Sequence, residues 1–157
     1  MPAVGGLRAY GAGRDLAGIY DLTEVAYVED YRRIGRSARA GMERERRTVA
    51  AVSLLGRIFS AIRDVTPGFV WEHEGRIVSF VHFARVGMAG DRWSIESVAT
   101  HPDHQRRGLA RRLVERAIDA IRERGGKTVT LKVRADNDPA YGLYRSLALR
   151  TTIRPCR

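Results

Sequence analysis

Trp93-Ser94-Ile95-Glu96-Ser97-Val98-Ala99-Thr100-His101-Pro102-Asp103-His104-Gln105-Arg106-Arg107-Gly108-Leu109-Ala110 is the stretch whose reading decides the fold. Trp93 to Thr100 reads as a strand, His101 to His104 as a short polar turn, and Gln105 to Gly108 as a loop carrying two arginines. From Leu109 onward the period changes. Leu109, Leu113, Ala117 and Ile121 recur every four residues, with Ala110, Val114 and Ile118 beside them, which is one face of an amphipathic helix. The first turn of a helix leaves backbone N–H donors without intrahelical partners, and the macrodipole adds partial positive charge there. A strand, an arginine-bearing loop and a helix start therefore make an anion site that suits a pyrophosphate. The spacing is neither the GxGxxG of a dinucleotide fold nor the GxxxxGK of a P-loop.

Downstream, Gly125-Gly126 stops the helix, and Thr128 to Val133 is a strand with three apolar residues on one face. Asp138-Pro139 reads as an N-cap followed by Pro at the first helical position, and Ala140, Leu143, Tyr144 and Leu147 give that helix its buried side. Residues 150–157 have room for one short strand. Upstream, residues 1–13 hold four glycines and at most a strand around Leu7 to Tyr10. A helix follows from Arg14 to about Arg33, with Asp15 as N-cap and Leu16, Ile19, Tyr20, Thr23 and Tyr27 on one face. The arginine-rich run from Arg32 to Arg47, with Gly35 and Gly41, is a mobile connection or a broken helix. A second helix runs from about Arg46 to Arg63, burying Val49, Val52, Leu55, Phe59 and Ile62. At Pro67-Gly68 the period switches to two: Phe69 to His73 and Arg76 to Val86 are strands joined by a hairpin turn at Glu74-Gly75. A loop from Met88 to Arg92 leads into the strand at 93–100. Helices, a three-strand meander, then strand-helix-strand-helix-strand describe one α/β or α+β domain over 1–157.

Composition sets the outer limits. The chain has 157 residues, 44% hydrophobic and 29% charged, enough for one sizeable core. No run approaches the roughly 18 apolar residues of a membrane span, and no signal-peptide core opens the chain, so a cytoplasmic protein is expected. Cys156 is the single cysteine, which excludes an intrachain disulfide framework, and the four histidines show no metal-ligand spacing. The net charge is +10, from 28 Lys+Arg against 18 Asp+Glu, with lysine only at Lys127 and Lys132. Such a balance invites a nucleic-acid partner. Arginine-biased codon usage plus affinity for a multiply charged anion explains it as well, and is preferred here.

Gln105, Gly108 and Ala110 fit the pattern Q/R-x-x-G-x-G/A, and IESVATHPDHQRRGLARRLVERAI around them resembles the strand-turn-loop-helix block of the GNAT-type acyl-CoA N-acyltransferases. A second block agrees. Asn137, Ala140, Leu143 and Tyr144 match that family's N-x-x-A-x-x-L-Y segment in register. The resemblance covers about Phe69 to Leu149 well and the N-terminal helices only by pattern.

The resemblance implies a mixed central β-sheet flanked by helices, splayed between the strands at 93–100 and 128–133, with an acyl-pantetheine arm in the opening. Acetyl-CoA would be the co-substrate. Backbone groups of Val98, Ala99 and Thr100 would line its arm, Val98 and Thr100 pairing with the pantetheine amides as a further strand would. The N–H groups from Arg106 through Arg107, Gly108 and Leu109 to Ala110, following Gln105, would hold the pyrophosphate. Asn137 would contact the pantetheine or cap its local turn. Tyr144 stands at the family's general-acid position, where a phenol protonates the leaving thiolate; it also lies on an apolar stripe, so a plain core role stays open. Glu96, two residues before Val98 on a half-buried strand, is the candidate base, against the alternative of a salt bridge to an arginine. His82 could substitute or relay, while His101 and His104 shape the turn.

Two departures stand out. Ala148-Leu149 replaces the family's usual Gly-Phe, and few residues follow for a last antiparallel strand. That strand is absent, comes from a second subunit in a homodimer, or belonged to a longer product. The acceptor is open: a small-molecule amine, or a peptide or protein amine, met by the N-terminal helices and the Arg32 to Arg47 connection. So is the class of function. Against an N-acetyltransferase stands a non-catalytic basic module binding acyl-CoA or nucleic acid.

Overall fold

The computed structural model describes residues 5–28, 32, 67–87, 90–134, 137–147 and 150–154. Six strands lie side by side in sequence order: β1 (Gly6–Ala9), β2 (Gly68–His73), β3 (Arg76–Arg85), β4 (Arg92–Thr100), β5 (Thr128–Arg134) and β6 (Arg150–Arg154). Neighbours β1 to β4 are antiparallel, while β4–β5 and β5–β6 are parallel. Tight turns serve the first kind of pairing. Glu74 and Gly75 both take positive φ, 50° and 76°, the mirror-image turn that matches the twist of a hairpin. Parallel pairing needs a crossover, and α2 (Leu109–Glu123) supplies it between β4 and β5. Between β5 and β6 runs α3 (Asp138–Ser146).

Each face of the sheet has its own core. On one side Phe69, Val81, Phe83, Trp93, Ile95, Leu131 and Val133 meet Leu113, Val114, Ala117 and Ile121 of α2 and Tyr144 of α3. The four-residue recurrence read in the sequence is the face that packs here. On the other side Val70, Phe80 and Ala99 meet Ile19 and Leu22 of α1 (Ala12–Ala26). The result is a sheet between two helical layers, the mixed-sheet architecture that the motifs imply.

Three boundaries differ from the sequence expectation. Gly11, not Asp15, is the N-cap of α1, and the helix ends at Ala26. Asn137, not Asp138, caps α3, its amide oxygen accepting from Ala140 N–H at 3.2 Å. Pro139 is still in the first turn, where a missing N–H costs nothing. The expected helix from Arg46 to Arg63, nearly all of the Arg32 to Arg47 connection, Ala148-Leu149 and Cys156 lie outside the described residues.

Asp15 has a different task. Its side chain is 2% exposed and takes the fork of Arg8, Nη1 at 2.7 Å and Nη2 at 2.9 Å, plus Gly11 N–H at 2.8 Å and Arg14 Nε at 3.0 Å. Arg8 also donates through Nε to Glu72 at 2.8 Å, so one guanidinium ties β1 to β2 and α1. Burial pushes the Asp15 carboxyl up, but Arg8, Gly11 N–H and Arg14 outweigh it and hold the group below its usual range. A depressed carboxyl stabilises the fold above the unfolded value and stops doing so as pH falls through the folded one. Asp15→Ala should therefore cost about 3 kcal/mol at neutral pH, as for a broken buried pair. In urea melts the gap from wild type should hold above about pH 4 and shrink below it.

Candidate active site

The two central strands part company. β4 pairs with β5 only from Arg92–Thr128 to Ile95–Leu131. Beyond that point β5 stays with β6, Lys132 opposite Thr152 and Val133 opposite Ile153, while Ser97 to Thr100 stay with β3. A V-shaped opening follows, between the strands where the resemblance places it.

Its local cause is a bulge. His82 pairs with Ser97 and Phe83 with Ile95, which leaves Glu96 as the extra residue on β4. An extra residue bends the strand and increases its twist. It also shifts the parity of every later side chain: Ile95 and Val98 both face the α2/α3 core, and Ala99 faces α1. The two-residue alternation used to place Glu96 beside Val98 does not survive this bulge. Nor is Glu96 half-buried; it is exposed at the bend.

The backbone of β4 can be oriented from one bond. His101 N–H donates to Val78 C=O at 2.8 Å, making that a hydrogen-bonded pair. Antiparallel pairs alternate in kind. Ser79–Thr100 and Val81–Val98 are then the non-bonded pairs, so Val98 and Thr100 turn their N–H and C=O groups away from β3 and into the opening. Ala99 does the reverse: its backbone belongs to the β3 ladder, its carbonyl also accepts Ser79 Oγ at 2.8 Å, and its side chain is in the α1 core. Of the three β4 residues expected to line the arm, the structure offers Val98 and Thr100. Two side chains already reach the offered carbonyls, Tyr27 Oη to Val98 at 2.6 Å and Gln105 Nε2 to Thr100 at 3.4 Å.

At the wide end stands the anion loop. A short 3₁₀ turn, Pro102–His104, is set by His101, whose Nδ1 accepts from Asp103 N–H at 3.2 Å. Then Arg106 (φ 63°) and Gly108 (φ 75°) adopt left-handed conformations on either side of Arg107. Alternating handedness of this kind turns successive N–H groups toward one centre. Gly108 is the N-cap of α2 and no side chain among the described residues caps that end, so the N–H groups of Leu109 and Ala110 stay available. Gln105, Arg106, Arg107 and Gly108 are exposed. A strand edge offering two amide partners leads to a nest of N–H donors with two guanidiniums. That combination fits a pantetheine pyrophosphate.

Tyr144 lies in the α2/α3 core with Val98 packed against the same cluster. Burial pushes its phenol up to about 12, so it holds its proton throughout the neutral range. Asn137 spends its amide oxygen on the α3 cap. The His82 ring lies 4.6 Å from that of Tyr10 and against Gly68 of β2. His73, His101 and His104 cluster beside the loop, with ring centroids 5.2 and 5.9 Å apart. Partial burial, then Arg107 and the other two histidines, hold His104 below its usual value. Among the described residues no group of three or more His, Cys, Asp or Glu could hold a metal, and no helix is long and apolar enough to cross a membrane.

The sequence reading missed the bulge and the Tyr27 bond. The first had a signal, since the large apolar residues of the strand step from 93 and 95 to 98, a slip of one. The second joins residues 71 apart in the chain, and nothing local announces it.

A sequence model described as the Acetyltransferase (GNAT) family matches residues 19–148. The ribosomal protein bS18-alanine N-acetyltransferase of Escherichia coli (strain K12) is 42% identical over 73 residues, 46% of this chain and 49% of that protein. The L-amino acid N-acyltransferase MnaT of Escherichia coli (strain K12) is 33% identical over 88 residues, 55% of this chain and 51% of that protein. The chain spans about half the length of the curated relatives it matches. Among solved structures, that of the ribosomal-protein-S18-alanine N-acetyltransferase from Escherichia coli superposes with a TM-score of 0.65 at 26% identity, covering 92% of this chain and 76% of that one.

The loop generates a test. A Cβ at Gly108 would meet nothing within 4 Å, so the position is sterically open to Gly108→Asp. The left-handed φ costs a side chain about 1 kcal/mol, least for Asn and Asp. A carboxylate there faces the phosphate site. Calorimetry should show acetyl-CoA binding lost in a protein that still melts cooperatively; unchanged affinity would remove the pyrophosphate assignment.

Proposed function

The chain belongs to the GNAT acetyltransferase family, and on that premise we propose that it transfers an acetyl group from acetyl-CoA to a primary amine by direct attack in a ternary complex. The observation that carries this reading is the parting of β4 from β5, with Val98 and Thr100 offering their backbone groups to the gap and the N–H nest of the 105–110 loop at its end. Bound acetyl-CoA would supply the thioester. Val98 and Thr100 would bond its pantetheine amides, and Arg106 to Ala110 its pyrophosphate, with Gln105 bracing the loop on β4.

In the reaction an amine N–C bond forms and the C–S bond breaks. The sulfur leaves with electrons that need a proton, and Tyr144 is the donor this reading assigns. The ammonium must first lose one, and Glu96, exposed at the bulge beside the opening, would take it directly or through water. Acceptors carrying an α-amino group, on a peptide or an amino acid, suit the reading best, because the names of both relatives describe such groups. The outer edge of β6 is where a second copy could pair.

The basic-module alternative has less to work with. Along α2, Arg112 lies over Trp71, Arg116 over Phe69 and beside Glu123, Arg111 bonds Ser146 and nears Glu115, and Arg122 bonds Asp119. Cations held against their own fold make a poor track for phosphates.

A thiol-release assay with acetyl-CoA across α-amino peptides, amino acids and small amines tests the proposal, and no turnover on any would overturn it. Tyr144→Phe keeps the ring in its core and removes only the proton donor. Turnover on the best acceptor should fall about 10²–10⁴-fold, with acetyl-CoA affinity and melting temperature nearly unchanged; full turnover would assign the proton to another donor. Glu96→Gln should move the rate–pH profile to higher pH, since the amine must then deprotonate unaided. A profile that stays in place would clear Glu96 of the role.

A further inference from the structure

The hydrogen bond from Tyr27 to Val98 crosses from the acceptor-side helix to the strand that lines the opening. Tyr27 is the C-cap residue of α1, its own N–H returning to Thr23 C=O at 3.0 Å. Its ring packs against the core formed by Ile19, Leu22, Val70, Phe80 and Ala99. From there the hydroxyl donates to a carbonyl that the β4 ladder turns into the gap, at 2.6 Å. The bond is thus made at the one stretch of β4 that has no β5 beside it.

Val98 consequently packs on one face of the sheet against the cluster that holds Tyr144, and is bonded by Tyr27 from the other. Tyr144 shares the α2/α3 core with the Val98 side chain, and Tyr27 holds the Val98 carbonyl from the α1 face. If the departing sulfur takes its proton on the Tyr144 side, the incoming amine has the α1 face left for its approach. We propose that Tyr27 is a positioning residue for the amine: by bonding Val98 it fixes the end of α1 at the rim of the opening and so sets where the acceptor stands. A carbonyl oxygen has two lone pairs. The Tyr27 bond therefore leaves Val98 one for a pantetheine amide, and the same atom registers both substrates. The inference rests on the acetyltransferase reading above.

A helix end fixed at the rim contributes equally to binding of the amine in the ground state and in the transition state, and such uniform binding is read in KM and not in kcat. Tyr27→Phe removes the hydroxyl and keeps the ring. In the thiol-release assay on a peptide with a free N-terminal alanine, and on the best amine of the panel, KM for the amine should rise about 10-fold, with kcat changing less than about 3-fold. Acetyl-CoA affinity by calorimetry and the melting temperature should stay close to wild type. Hydrogen exchange should quicken at residues 20–27 and leave 97–100 unchanged.

An unchanged amine KM overturns the assignment. So does a matching loss of acetyl-CoA affinity, which would make the hydroxyl a support for the cofactor strand. A variant without a cooperative melt would show that it holds the fold and not the acceptor. A wild-type protein that acetylates no amine sinks the acetyltransferase reading and this inference with it, whereas an active wild type with an unaltered Tyr27→Phe sinks only the latter.

Discussion

Everything at the candidate site depends on one extra residue in β4. Had Glu96 paired in register, Ser97 to Thr100 would continue beside β5 and the sheet would close. Instead the bulge rotates the second half of the strand, and only Arg92 to Ile95 keep their parallel partners. The parallel ladder that remains is short, but it is clamped from one side by Trp93, Ile95 and Leu131 beneath Ala117 and Ile121 of α2. A strong apolar clamp at one end and a twist at the other produce a gap whose width is set by the fold. Backbone groups of Val98 and Thr100 that would otherwise pair with β5 are turned toward the gap, without any irregular loop having to hold them.

Much of this was legible because the fold uses simple periods where it packs and strong punctuation where it turns. The four-residue stripe of α2, the Glu74-Gly75 turn, Pro67-Gly68 and Asn137-Asp138-Pro139 all act locally, so sequence states them locally. The errors came where two local rules compete. Asp15 and Asp138 are both good caps by residue type, yet Gly11 and Asn137 hold those positions. Asp15 is drawn into the first turn because Arg8, on a strand that only tertiary pairing creates, needs its carboxylate. Glu96 was misplaced for a related reason: a period of two is read by counting, and a bulge removes the ground for the count. Tyr27 could be put on the packed face of α1 but not on Val98.

The arginine excess also acquires a structural meaning in part. Arg85 lies over Trp93, Arg112 over Trp71, Arg116 over Phe69 and Arg124 over Phe83, each within 6 Å of its ring centroid. These aromatic rings belong to or border the α2-side core. A guanidinium stacks flat, keeps its edge hydrated and covers apolar surface with its stem, which lysine does less well. Arginines therefore finish the rim of this core while Arg106 and Arg107, in the loop, remain exposed. Net charge alone could not separate the two groups; their partners do.

The raised phenol of Tyr144 raises a question of matching. A donor near 12 stands well above an ordinary thiol at about 8.5, so proton transfer to a solvated thiolate would be uphill. The same burial answers it. In the proposed reaction a thiolate forming in the gap near Tyr144 would be charged in the environment that disfavours the Tyr144 anion, and its own affinity for a proton would rise in parallel. What matters to the rate is the difference between the two groups, and desolvation acting on both narrows it. An exposed tyrosine with an unshifted phenol would be the stronger acid in water yet would leave the sulfur solvated. In the proposed reaction the Tyr144 pocket would give up absolute acidity and keep the relative acidity that departure of the sulfur requires.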